Sequence, residues 1–376
     1  MSESSEHNCL GAEHDDLSRY FAKAAATQTP LSASFELTRR CNFRCVHCYL
    51  GDQEAIHKYR HRELDTDRIL GLLDEMVEAG TFFLTLTGGD PMLRPDFVRI
   101  YEHAVRIGLL VSVYCNGSLI TDEIVRSFIR YPPRIVEVTL YGATAKTFEA
   151  ITQKPSSFSA CMEGVERLRK AKVRLRLKTM AITLNSEEVP AMREMAEDMG
   201  VEFRHDCSII PALPNKDNHG RTNTAGTGEG DLLETLRFRL TPKQAVDIDF
   251  GSVVVKEKLR RLVASKEEMK RPRATALYTC DAGRSSYHLT PYGRLQPCLI
   301  TSHPSVDLIS GSTGIISGWE ILNRLVAEQQ AGPDFLCTEC NKKKQCTGCP
   351  SSFFLETGDR EKSAPFYCNY AEYRGR

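Results

Sequence analysis

Cys41, Cys45 and Cys48 are separated by three and then two residues in the run Cys41-Asn42-Phe43-Arg44-Cys45-Val46-His47-Cys48. Three thiolates on one short loop can hold three irons of a [4Fe-4S] cluster and leave the fourth iron without a protein ligand. An open iron is a place for chemistry, whereas a structural metal site is closed by a fourth ligand. A zinc site, or three unrelated buried thiols, would account for this loop taken alone. Neither explains the segments downstream.

With this spacing, and with His47 where an aromatic residue is common, the loop resembles the cluster motif of the radical S-adenosylmethionine (radical SAM) superfamily. The resemblance implies that the amino and carboxylate groups of SAM chelate the open iron. One electron then enters the sulfonium, releasing methionine and a 5′-deoxyadenosyl radical that abstracts hydrogen from a substrate. The protein's share is to hold the sulfur beside the cluster, exclude water and aim the radical.

Such a loop must be positioned by strands. From Ser32 onward, short β-branched runs alternate with amphipathic stretches. Strands are expected at Ser34–Thr38, Phe82–Thr87, Leu109–Tyr114, Ile135–Tyr141, Val173–Thr183 and Glu202–Cys207. Helices are expected at Thr66–Ala79, with Ile69, Leu72, Leu73, Met76 and Val77 as its apolar residues, and at Phe97–Ile107, Asp122–Ile129, Phe158–Lys170 and Glu187–Met199. Six βα units imply one parallel sheet, and the resemblance implies a partial (β/α)6 TIM-like barrel, α/β in class. Functional residues of such barrels sit at the C-terminal ends of the strands.

Several motifs fall at those ends. Thr87-Gly88-Gly89-Asp90-Pro91 follows the second strand, where paired glycines let a ligand approach the backbone. It resembles the glycine-glycine-glutamate segment that contacts the SAM amino group, with Asp90 a shorter carboxylate. The resemblance likewise implies Asn116 (in Tyr114-Cys115-Asn116-Gly117), Thr139 and Lys178 as cofactor-binding residues. Lys178 would pair with the SAM carboxylate. His205 and Asp206, ending the sixth strand, are the weakest candidates, placed at the substrate cavity or on a solvated rim.

Seven more cysteines lie in the last hundred residues: Cys280, Cys298, Cys337, Cys340, Cys346, Cys349 and Cys368. Their order closely resembles the SPASM extension of peptide-modifying radical SAM enzymes, with one residue fewer between Cys346 and Cys349 than usual. The resemblance implies two auxiliary [4Fe-4S] clusters, one closed by Cys337, Cys340, Cys346 and Cys368, the other held by Cys280, Cys298 and Cys349. The second lacks a fourth ligand, because the position that supplies it in some relatives is Ala274 here. An open iron, or a ligand from elsewhere such as Cys207, follows. A pair of zinc knuckles over Cys337 to Cys349 is the competing reading. Tyr287 and His288, in the hairpin expected between Cys280 and Cys298, read as packing residues. Cys161 reads as a buried free thiol, Cys9 lies in the N-terminal extension, and Cys115 ends a strand.

The organisation expected is therefore an extension over 1–31, the barrel over 32–210, a linker with bridging helices (Pro242–Ile248 and Val254–Glu268) over 211–275, and the auxiliary-cluster domain over 276–376. Lys+Arg and Asp+Glu are both 49, so no net positive charge suggests a nucleic-acid groove. The N-terminus carries no secretion signal and no apolar run reaches membrane-spanning length, which points to the cytoplasm. Fourteen cysteines there argue for metal or catalysis over disulfides.

The sequence reading is an enzyme that oxidatively modifies a ribosomally synthesised precursor peptide through a carbon–sulfur or carbon–carbon cross-link. A reductant such as flavodoxin or ferredoxin, and a separate peptide-recognition protein, are its expected partners. Alternatives are a sulfatase-type formylglycine maturase, a tetrapyrrole-modifying relative of the haem-synthesis kind, and a non-enzymatic zinc-binding interaction protein.

Overall fold

The computed structural model describes residues 19–213, 233–251, 276–310, 313–343 and 345–375. Cys9, Ala274, the helix expected over Val254–Glu268 and most of the Pro211–Gly230 segment lie outside the described residues.

Six parallel strands follow one another as expected: β1 (Ser32–Thr38), β2 (Phe83–Gly88), β3 (Leu110–Cys115), β4 (Ile135–Thr139), β5 (Leu175–Met180) and β6 (Glu202–Asp206). β1 and β4 are buried on both faces, with Phe35, Glu36, Val136 and Glu137 at 0% exposure, whereas no residue of the edge strand β6 is buried. Helices cover the outer face. The helix Thr66–Glu78 starts at Asp65, whose carboxylate accepts from the Arg68 amide, and buries Ile69, Leu72, Leu73 and Met76. Val77, grouped with them by spacing, turns instead to the exposed side. The remaining expected helices form at Phe97–Arg106, Asp122–Arg130, Ser157–Lys170, Val189–Asp198 and Pro242–Asp249. A short helix that the sequence did not suggest, Ala145–Thr152, is capped by the Thr144 hydroxyl.

The sheet does not stop at six strands. Among the described residues it has nine, in the order β6-β5-β4-β3-β2-β1-β7-β8-β9. β7 (Ser286–Leu289) lies parallel to β1, pairing Ser32 with Ser286 and Phe35 with Leu289. β8 (Arg294–Gln296) and β9 (Val306–Asp307) continue it antiparallel. Tyr287 and His288 pack as expected. The Tyr287 hydroxyl lies 2.9 Å from Thr81 Oγ1, and His288 Nδ1 lies 2.8 Å from Ser34 Oγ. His288 also stands 3.5 Å from the fully buried Glu36, which Arg39 pairs at 3.1 Å.

Candidate active site

The C-terminal ends of β1 to β6 open into one cavity of about 350 Å³, a size ordinary for a small-molecule site. Cys41, Cys45 and Cys48 all line it, together with Gly88, Gly89, Asn116, Thr139 and Lys178. The cysteine loop leaves β1 and is braced by its neighbours. The Cys41 amide donates to Gln53 Oε1 at 2.7 Å, and the Arg44 amide donates to the Thr152 carbonyl at 2.9 Å. The Phe43 amide, at 3.4 Å, and Asn116 Nδ2, at 3.6 Å, both point at Cys41 Sγ.

These three thiols are crowded and half-buried. Burial, then the nearby Asp90 carboxylate, pushes the Cys41 thiol up to about 12. Cys45 is held well above the ordinary thiol range by burial and then by Cys48 and Cys41. A set of buried thiols that repel one another as thiolates is what a cationic metal centre relieves. The residues therefore fit an iron–sulfur cluster. His47 adds to that fit. It is buried, its imidazole is lowered to about 4 by desolvation, and its Nδ1 has no hydrogen-bond partner. Its ring stands edge-on to Tyr141 at 5.2 Å, so it behaves as a neutral aromatic with one polar atom to spare at the cavity.

The glycine pair, which lines the cavity, also has a reason within the fold. A Cβ on Gly88 would meet the Thr38 carbonyl at 2.1 Å, and one on Gly89 the Arg40 carbonyl at 2.4 Å. It is the chain leaving β1 that needs the room. Asp90 does not line the cavity. It is fully buried, and its two oxygens accept from the Met92 amide at 2.9 Å and the Asn116 amide at 2.8 Å. Desolvation raises its carboxyl to about 6 in spite of both donors. Asp90 thus fixes Asn116, whose side chain bonds Asn42 at 2.7 Å and reaches Cys41.

Opposite the cysteine loop stands a charged wall that sequence reasoning missed except for Lys178. Glu137, on β4, is completely buried and is reached by Lys178 Nζ at 3.2 Å, Arg204 Nε at 2.8 Å and Arg176 at 3.5 Å. Hydrogen bonds and the charges of Arg204 and Lys178 outweigh its desolvation and keep its carboxyl low. The signal was present: an acid inside the apolar strand Ile135-Val136-Glu137-Val138-Thr139 needs partners, and the register sets Arg176 beside it. Lys178 also lies 4.2 Å from the Tyr114 ring centroid. His205 and Asp206 both reach the cavity rim. The Asp206 carboxylate accepts from the Ser208 amide, and His205 pairs with Asp249.

The C-terminal cysteines fall into two groups. Cys337 is raised to about 11 by burial and then by Cys368, Cys346 and Cys340. Cys280 is raised by burial, with Cys298 and Cys349 as its thiol neighbours, and Cys298 likewise has Cys349. Cys349 caps the helix Pro350–Thr357, its Sγ accepting from the Ser352 amide at 3.5 Å. Leu299, adjoining Cys298, lines the main cavity, so this group sits next to it. Cys207 is placed elsewhere: its Sγ lies 3.6 Å from Asp249 and it does not join the Cys280 group. Cys115 and Cys161 are buried, and Cys115 also reaches the cavity wall.

Residues 35–199 match the family model described as the radical SAM superfamily. The chain is 27% identical over 367 residues to the AdoMet-dependent heme synthase of Methanosarcina barkeri, covering 92% of this chain and 98% of that one. It is 30% identical over 142 residues to the mycofactocin maturase MftC of Mycolicibacterium smegmatis, covering 38% of this chain and 35% of that one. In fold it is similar to Streptococcus suis SuiB bound to precursor peptide SuiA, with TM-score 0.64 and 12% identity over 97% of this chain and 81% of that one. Residues 35–199 thus belong to the radical SAM superfamily, and the chain is an enzyme of radical SAM type. Enzymes of this family use a [4Fe-4S] cluster and SAM. The non-enzymatic zinc-binding alternative is overturned by that membership. Among the described residues no helix is long and apolar enough to cross a membrane.

Proposed function

We propose that this radical SAM enzyme oxidises a substrate that carries carboxylate side chains on an apolar body, a tetrapyrrole first among them. The observation that carries this reading is the charged wall. Arg176 spans Glu137 and Glu202, while Lys178 and Arg204 share Glu137 at the cavity edge, with Asp206 near Arg204. Beside them lie apolar and aromatic side chains, among them Tyr49, Tyr141, Ile209 and Ile210. The near end-to-end alignment with a heme synthase supports the same class.

In this reading Cys41, Cys45 and Cys48 hold the SAM cluster. Gly88, Gly89, Asn116, Thr139 and Lys178 orient SAM, with Lys178 on its carboxylate, while Asp90 acts by holding Asn116. Bound there, the cluster and SAM supply one-electron chemistry that ends in hydrogen abstraction from the substrate. Arg204 receives a substrate carboxylate, and the aromatic wall excludes water from the reacting carbon. Cys337, Cys340, Cys346 and Cys368 hold one auxiliary cluster. Cys280, Cys298 and Cys349 hold the other, next to the substrate.

A precursor peptide cross-linked through a carbon–sulfur or carbon–carbon bond is the second reading. The peptide-bound fold relative and the MftC alignment favour it. It would bring a recognition protein with it, and either substrate requires a reductant such as flavodoxin or ferredoxin. Anaerobic titration of the cluster-loaded chain with a porphyrin bearing propionate side chains, followed in the Soret band, separates the two. One saturable site, weakened about tenfold by Arg204→Ala, supports the tetrapyrrole. Absence of saturable binding, or equal binding of a porphyrin without carboxylates, overturns it.

A further inference from the structure

A second set of ligating side chains lies at the end of β6, outside both groups of cluster cysteines. His205 Nε2 is 3.1 Å from Asp249 Oδ1, and Cys207 Sγ is 3.6 Å from the same oxygen. The three donor atoms lie within 4.8 Å of one another. His205 and Cys207, two residues apart at a strand end, project to one side. Asp249 comes from the last residue of the helix Pro242–Asp249. Its other oxygen, Oδ2, is taken by the Tyr370 hydroxyl. Such a bond leaves Oδ1 as the only free ligand atom, which is how outer hydrogen bonds orient a monodentate carboxylate in metal centres. Cys207 is 2% exposed, and His205 opens onto the main cavity.

We propose that His205, Cys207 and Asp249 form a mononuclear zinc site whose fourth position opens on the substrate cavity. An imidazole, a thiolate and a carboxylate are the donor mix of a borderline-soft divalent ion. Bond lengths of about 2.0 Å to nitrogen or oxygen and about 2.3 Å to sulfur set tetrahedral donors roughly 3.2 to 3.8 Å apart, close to the two spacings to Asp249 Oδ1. The ion's two positive charges are matched by the carboxylate and by the thiolate, whose proton passes to solvent on binding. Three protein ligands with one open position is the pattern of zinc sites that bind a substrate, not of sites that only hold the chain. The open position would take an oxygen or sulfur donor from the substrate.

Cobalt(II) is the probe. The full chain is loaded anaerobically with iron and sulfide, freed of loosely held metal by brief mild chelation, and titrated with cobalt(II) while iron content is followed. The expected result is one cobalt per chain, with thiolate-to-cobalt charge-transfer absorption and tetrahedral d–d bands, displaced by one zinc. Cys207→Ser should abolish the charge-transfer band, and His205→Ala should weaken binding at least tenfold, both at unchanged iron content. Tyr370→Phe should keep the band and weaken binding several-fold. Failure of the loaded wild-type chain to bind cobalt with a thiolate band overturns the site, whatever the variants do. A band that survives Cys207→Ser at full iron content also overturns it, by placing the metal on another cysteine.

Discussion

The two cysteine-bearing regions solve the same problem in opposite ways. The barrel gathers Cys41, Cys45 and Cys48 within eight residues and buries the loop against strand ends, so the ligands are preset by the parallel sheet. The C-terminal region gathers its seven thiols from a span that runs from Cys280 to Cys368, and Cys280, Cys340 and Cys368 are exposed. There the cysteine segments pack on buried Phe335, Phe353, Tyr367 and Tyr370, with the Cys349 cap and the Thr301–Ser351 hydrogen bond (2.6 Å) beside them. The difference teaches that one loop on a sheet presets the first set of ligands, whereas the second set joins distant segments that a bound metal would tie together.

Removing a ligand from each region tests this directly. Cys45→Ser should remove about four irons per chain and lower SAM cleavage more than a thousandfold, while far-UV circular dichroism and the melting temperature hardly move. Retained SAM cleavage would break the assignment. Cys337→Ser should also remove about four irons, leave SAM cleavage within about threefold of wild type, and lower substrate oxidation at least a hundredfold. It should also make the C-terminal region sensitive to limited proteolysis. Equal resistance of the two variants would erase the contrast.

Two smaller effects sharpen the barrel's side of the comparison. Gly89→Ala drives a Cβ to 2.4 Å from the Arg40 carbonyl, and should cost about 3 kcal/mol in denaturant unfolding because backbone must shift. A loss below about 1 kcal/mol would show that the turn relaxes. Glu36, paired with Arg39 and His288, has its carboxyl lowered from 4.5 to about 2, its desolvation outweighed by those partners. Its contribution to stability is therefore complete above pH 4.5 and is lost as pH falls through 2. Melting curves between pH 5 and 2 should fall less steeply for Glu36→Gln than for wild type. Parallel curves would remove Glu36 from the acid response.

Much of this was legible because the informative signals are local. Cysteine spacing, a glycine pair after a strand and period-3.6 helices each occupy a few neighbouring residues, and each landed at the strand end expected for it. What escaped depends on pairs far apart in sequence. Glu137 and Arg204 meet only once β4, β5 and β6 lie side by side, and His205 meets Asp249 only through a helix 44 residues on. The hairpin expected at Tyr287 and His288 forms as β7 and β8, but its docking on the edge of β1 escaped for a similar reason, since Ser34 and His288 are far apart in sequence. The bracing role of Asp90 was not legible either, since a carboxylate beside a cofactor motif and one that holds the backbone look alike in sequence.

The pairing of β1 with β7 also bears on how the chain is made. β1 carries the residues leading into the cysteine loop, and its partner His288 lies 254 positions beyond Ser34. On the ribosome, one edge of β1 stays unpaired until those 254 further positions have emerged. Contacts of such separation fold late, and an unpaired edge invites association with other chains. A nascent chain stopped before Ser286 should therefore aggregate, and co-expression of chaperones or slower translation should raise the yield of intact enzyme more than extra iron does.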